Sequence, residues 1–169
     1  MKKVSILFLI VISLIATSFA GIGVPRAKAA ALTVTASASP ATVNTTTALN
    51  ISAYPTAVSQ FYLVLSLPSF QLPGTIPTSA VTVNSVAAAS VAVYGNQIVV
   101  GTSTPFSSYA AVAFSSAAGI KTPVSAGSYP ISCTVGSDSG SSPAISITGS
   151  ATPSFTAQLY PTTAGVKTT

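Results

Sequence analysis

The chain has 169 residues and a formal net charge of +5, yet only 4% of its residues are charged, against roughly a quarter in ordinary soluble domains. It contains no His, Glu or Trp, one acid (Asp138) and one Cys (Cys133). General acid/base pairs, His-containing triads and clustered metal sites need residue types this chain does not have, so the composition argues against most enzymes and predicts no catalytic group, cofactor or metal.

In chain order, the first element is an export signal. Lys2 and Lys3 form a basic n-region, Val4 to Ala20 an apolar h-region, and Ala27-Lys28-Ala29 an A-x-A site, which predicts cleavage between Ala29 and Ala30. The alternative is an uncleaved anchor, since Val4 to Gly23 is long enough to cross a bilayer. Four of the six basic residues (Lys2, Lys3, Arg26, Lys28) lie in this segment, and only Lys121, Asp138 and Lys167 follow it. The mature chain is therefore nearly neutral. It lacks the cluster of Lys and Arg that nucleic-acid binding requires, and it has no second run of apolar residues long enough to span a membrane.

From Ala30 onward the pattern is that of strands. Leu32-Thr-Val-Thr-Ala36 alternates apolar and hydroxyl residues and predicts a half-buried strand with Leu32, Val34 and Ala36 on one face. Leu49-Asn-Ile-Ser-Ala53 repeats the pattern. Phe61 to Leu67 is apolar at both parities and predicts a central strand covered on both faces, and a further strand follows at Ala80 to Asn84. Val91 to Tyr94 and Gln97 to Val100 flank Gly95-Asn96, the signature of a hairpin with a two-residue turn. Strands are expected at Tyr109 to Ser115 and at Ser128 to Val135, with Pro130 marking the latter as an edge or a bulge. Cys133 alternates with Tyr129, Ile131 and Val135 and reads as a buried small hydrophobe. A lone cysteine cannot form an intramolecular disulfide. Asp138, within Gly136-Ser-Asp-Ser-Gly140, reads as a turn residue. Ile145 to Thr148 is another strand, and after Gly149-Ser-Ala-Thr-Pro153 the sequence Phe155-Thr-Ala-Gln-Leu159 alternates once more, with Phe155, Ala157 and Leu159 on one face.

About eight to ten short strands without an amphipathic helix predict an all-β antiparallel sandwich of the immunoglobulin-like or jelly-roll kind. The expected organisation is a signal peptide over 1–29, a sandwich domain over 30–148 and a C-terminal strand or tail over 149–169.

Several pieces carry a resemblance: Pro73-Gly-Thr-Ile-Pro77, Ala80-Val-Thr-Val-Asn84, Val91-Ala-Val-Tyr-Gly-Asn96, Ala117-Ala-Gly-Ile-Lys-Thr-Pro123, Ala126-Gly-Ser-Tyr129 and Ser141-Ser-Pro143. In this order they resemble a β-sandwich module repeated in secreted, surface-layer and wall-associated proteins of Gram-positive, often thermophilic, bacteria. The resemblance covers residues 32–148. It implies a sandwich fold and an extracellular location and carries no catalytic residues. The chain departs from the usual setting in having one module alone, with fewer charges.

A nearly neutral surface rich in hydroxyl groups can be buried against copies of itself without stranding ions. With alternating strand sequences at both ends of the domain, the expectation is a self-assembling extracellular subunit of a filament or coat. Its partners are copies of itself, joined when a terminal strand completes a neighbour's sheet, and the candidate strands carry Leu32, Val34 and Ala36 or Phe155, Ala157 and Leu159. The alternative is a monomeric module that binds carbohydrate or cell-wall polymers through exposed aromatics. Tyr54, Tyr62, Tyr94, Tyr109, Tyr129 and Tyr160 are spread about one per strand, which points to packing roles instead. A Ser/Lys nucleophile pair would have to use Lys121, which reads as a solvated loop cation. Asn44-Thr-Thr46 and Asn50-Ile-Ser52 match the N-glycosylation sequon.

Overall fold

Alternating apolar and hydroxyl side chains give each strand one face suited to a core and one suited to water, and two such sheets bury their apolar faces against each other. The computed structural model describes residues 30–150 apart from 57 and 58. The predicted export signal up to Ala29, and the C-terminal segment with Phe155, Ala157 and Leu159, lie outside the described residues. Twelve strands are formed: β1 (Thr33–Ser39), β2 (Ala48–Tyr54), β3 (Tyr62–Ser66), β4 (Val81–Val83), β5 (Val86–Ala87), β6 (Ser90–Tyr94), β7 (Gln97–Gly101), β8 (Ala110–Phe114), β9 (Gly127–Tyr129), β10 (Ser132–Val135), β11 (Asp138–Ser141) and β12 (Ile145–Ile147). Single 3-10 turns at Thr78–Ala80 and Ser116–Ala118 are the helical elements among the described residues.

One sheet has the order β1-β2-β8-β4-β5, the other β11-β10-β3-β7-β6, and β9 pairs with β12 alone. The strand pairs within these sheets are antiparallel. The fold is an all-β antiparallel sandwich, with two more strands than the upper expectation. The two-residue β5 and the polar β11 (Asp-Ser-Gly-Ser) have no apolar alternation by which to recognise them. The core joins Leu49 and Ile51 of β2, Val81 of β4 and Phe114 of β8 with Leu63 and Leu65 of β3, Ile98 and Val100 of β7 and Cys133 and Val135 of β10. Cys133 is 1% exposed, and its burial pushes the thiol up from 9.0 to about 12.

Two expectations need correction. β3 is central in its sheet, but a two-layer sandwich covers only one of its faces: Leu63, Leu65 and Leu67 are buried, whereas on the other face Tyr62 is half exposed and Val64 and Ser66 are only partly buried. The stretch Ser128 to Val135 is two strands in two sheets, because Pro130 offers no N–H to a ladder and the chain changes sheet there.

The N-terminal strand is engaged with its own domain. β1 pairs with β2 at seven positions, from Thr33 opposite Tyr54 to Ser39 opposite Ala48. Leu32 and Val34 are buried and Ala36 is partly buried. Just before β1, Ala31 bridges Ser139 of β11 in parallel, and the Leu32 N–H donates to the Ser139 carbonyl at 2.9 Å. The chain thus links the edges of the two sheets and closes that flank of the sandwich. Gly140 makes the approach possible, since a Cβ there would overlap the Leu32 carbonyl.

Candidate functional site

At one pole of the sandwich β2 ends, β3 begins, β4 turns into β5, and β7 passes by a loop into β8. Register decides which side chains meet there. Ala53 lies opposite Ala110, so Tyr54 and Tyr109 sit beside each other with ring centroids 5.2 Å apart and planes tilted by 48°. The Tyr109 hydroxyl is 3.2 Å from Ser52 Oγ. Next along this sheet, the turn between β4 and β5 has both central residues in the left-handed region, Asn84 at φ 49° and Ser85 at φ 68°, the type I′ pattern. Asn84 docks the turn on β8: its N–H donates to the Ala111 carbonyl at 2.8 Å, its Oδ1 accepts from the Ala111 N–H at 2.8 Å, and its Nδ2 donates to the Tyr109 carbonyl at 3.4 Å.

The loops of the other sheet are tied down as firmly. The Ser59 N–H donates to the Phe106 carbonyl, the Phe106 N–H to the Gln60 carbonyl, and the Thr102 N–H to the Phe61 carbonyl, all between 2.8 and 3.1 Å. Phe106 is buried beneath them. Asp138 is more than the turn residue its sequence suggests. It is 2% exposed, opens β11, and its Oδ2 accepts from both the N–H and the hydroxyl of Thr56 at 2.7 Å, pinning the loop that leads from Tyr54 towards Phe61. Buried carboxylates persist when hydrogen-bonded in this way.

The result is a pole that presents Tyr54, Phe61, Tyr62, Val86 and Tyr109 to solvent, each 39% to 61% exposed. They are five of the seven large apolar side chains exposed among the described residues; the other two are Tyr94 and Val124. The packing roles expected for the tyrosines therefore need correction: Tyr54, Tyr62, Tyr94 and Tyr109 are exposed, Tyr129 is partly buried, and Tyr160 lies outside the described residues. The discriminating signal, visible only in retrospect, is that Tyr54, Tyr62 and Tyr109 stand at strand ends rather than in strand interiors.

Among the described residues no charge is exposed at this pole. Asp138, which holds Thr56 there, is buried. Lys121 is exposed at the opposite end, where its backbone N–H and carbonyl pair with Gln71, each at 3.0 Å. No Ser hydroxyl hydrogen-bonds its ammonium group among the described residues. The same opposite end holds a buried threonine that sequence reading missed. Thr122 Oγ1 accepts from the Thr45 N–H at 2.9 Å and donates to the Thr42 carbonyl, fixing the β1–β2 connection. Among the described residues every buried side-chain polar atom is partnered and no three His, Cys, Asp or Glu side chains cluster. No described helix is long and apolar enough to cross a membrane. Asn44 and Asn50, the sequon asparagines, are both exposed.

No protein-family model matches the chain, and no curated protein matches it. Among solved structures, the chain is similar to the crystal structure of BslA, described as a bacterial hydrophobin, with a TM-score of 0.50 and 16% sequence identity over 71% of this chain and 100% of that one. The likeness is one of fold.

Proposed function

We propose that this chain is an exported, non-enzymatic structural protein that gathers at an apolar interface through its aromatic pole. There, copies of it join by strand complementation into a surface coat or filament. The observation that carries the reading is that Tyr54, Phe61, Tyr62, Val86 and Tyr109 are all exposed at one pole, where no described residue exposes a charge. Withdrawing roughly 400 Å² of apolar surface from water favours adsorption by on the order of 10 kcal/mol, enough to hold a small domain at an interface. Two further observations support it. The sandwich is similar to that of a protein described as a bacterial hydrophobin. The chain beyond Ala29 has two Lys against one Asp, so little long-range repulsion keeps copies apart.

Drop tensiometry tests the proposal. The exported protein lowers surface tension and leaves an elastic film. The triple variant Tyr54→Ser, Phe61→Ser, Tyr109→Ser adsorbs at least tenfold more slowly, while its unfolding free energy changes by no more than about 1 to 2 kcal/mol because these side chains are already largely in water. A wild-type protein that stays monomeric and leaves the tension of the buffer unchanged overturns the proposal. The exposed tyrosine pair also suits the second reading, a monomeric module binding carbohydrate or wall polymers. Binding on a glycan array without film formation favours that reading.

A further inference from the structure

The two flanks of the sandwich are closed unequally. On one, Ala31 and Leu32 cross to Ser139 and join the sheets. On the other, the chain crosses from β5 to β6 through Ala88 and Ala89 at the aromatic pole, but beyond that crossing one sheet ends in the two-residue β5 and the other in β6, which pairs only with β7 among the described residues. In a two-residue hairpin the pair flanking the turn, Tyr94 with Gln97, exchanges ladder bonds. Every second pair then does so, and the N–H and carbonyl groups of Val91 and Val93 point away from β7. No other described element takes them up.

The core is open at the same place. Val91 and Val93 pack against it yet stay only partly buried, whereas Ile98 and Val100 on neighbouring β7 are fully buried. Val86 and Ala87 of β5 are exposed. The β6 sequence, Ser-Val-Ala-Val-Tyr, has no charge, proline or bulge, which are the devices that ordinarily keep an edge strand from pairing.

Resting on the reading that copies self-assemble, we propose that the β6 edge accepts the C-terminal segment, residues 154–160, of a neighbouring copy as an added strand. Phe155, Ala157 and Leu159 then lie on Val91 and Val93. The five positions from Phe155 to Leu159 match the five-residue β6 and alternate as a strand over an open core must. The chain leaves the domain on the closed flank, where Thr148 bridges Thr42 and its N–H donates to the Ala41 carbonyl. Thr148 lies beside the β1–β2 connection, on the flank away from β6, so a neighbour's β6, which a departing strand meets without crossing back over its own sandwich, is the target. A donor on one flank and an acceptor on the other make a heterologous contact, which propagates as a row of copies.

The test uses two pools of the exported protein, one carrying Ala92→Cys on the outward face of β6 and the other Gln158→Cys, with Thr156→Cys as the alternative register. Cys133, 1% exposed, stays silent. Under mild oxidation the mixed pools yield at least tenfold more heterodimer than a pairing of Ala92→Cys with Asn50→Cys, and the Ala92→Cys/Gln158→Cys double variant yields a ladder of multimers. Homodimers of Ala92→Cys in equal yield, a double variant that closes on itself as a monomer, or no cross-link above the control each overturn the proposal. A chain ending at Pro153 separates this failure from failure of the function. If it forms a film like the full chain, only the strand proposal is lost; if the full chain forms none, the proposed function falls as well.

Discussion

Gly140 lies in β11 where the N-terminal segment crosses between the sheets, and its missing side chain is what lets the Leu32 carbonyl come so close. Gly140→Ala forces that segment outward and weakens the Leu32-to-Ser139 hydrogen bond at 2.9 Å. Urea denaturation is expected to show a loss of about 1 to 3 kcal/mol, typical of an overpacked site. Gly149→Ala is the control, since nothing lies within 4 Å of a Cβ there, and it is expected to change nothing measurable. Equal stability of the two variants would show that the crossing segment contributes little. Asp138 teaches a related lesson at this scale. Its sequence context is that of a turn, and only the arrival of Thr56 from a distant loop turns it into a buried acceptor.

Among the elements, the β4–β5 hairpin has the most to do with the apolar pole. Its type I′ turn needs two left-handed residues and is occupied by Asn84 and Ser85. Asparagine tolerates that conformation and here also binds β8, whereas serine pays a steric penalty that glycine does not. Ser85→Gly is therefore expected to raise the unfolding free energy by about 0.5 to 1 kcal/mol, and Asn84→Ala to lower it by about 1 to 2 kcal/mol through the lost side-chain bonds to Ala111 and Tyr109. Chemical denaturation measures both. A stabilising Asn84→Ala would mean that the turn is not docked on β8 as described.

Over the described residues the molecule is amphiphilic by the placement of its apolar side chains rather than by charge: exposed aromatics at one pole, and hydroxyl-rich walls with the exposed Lys121 towards the other. Adsorption driven by apolar area has little ionic-strength dependence. Between about 0.01 M and 1 M salt, where the Debye length falls from about 30 Å to 3 Å, the adsorption rate is expected to change by less than about threefold. A steep fall with salt in the tensiometer would show that charge drives adsorption instead.

The sequence by itself determined the fold class, because period-two alternation and the absence of a helical stripe leave two stacked antiparallel sheets as the way to bury Leu49, Ile51, Leu63 and Leu65. It also placed Cys133 inside and the β6–β7 turn at Gly95-Asn96, since both follow from neighbours within a few residues. Tertiary structure alone decided the candidate site. Tyr54 and Tyr109 are 55 positions apart, and their meeting depends on β2 pairing with β8, a register no local pattern specifies. The open β6 edge has the same origin, because a strand lies at a sheet's margin only by virtue of what fails to pair with it.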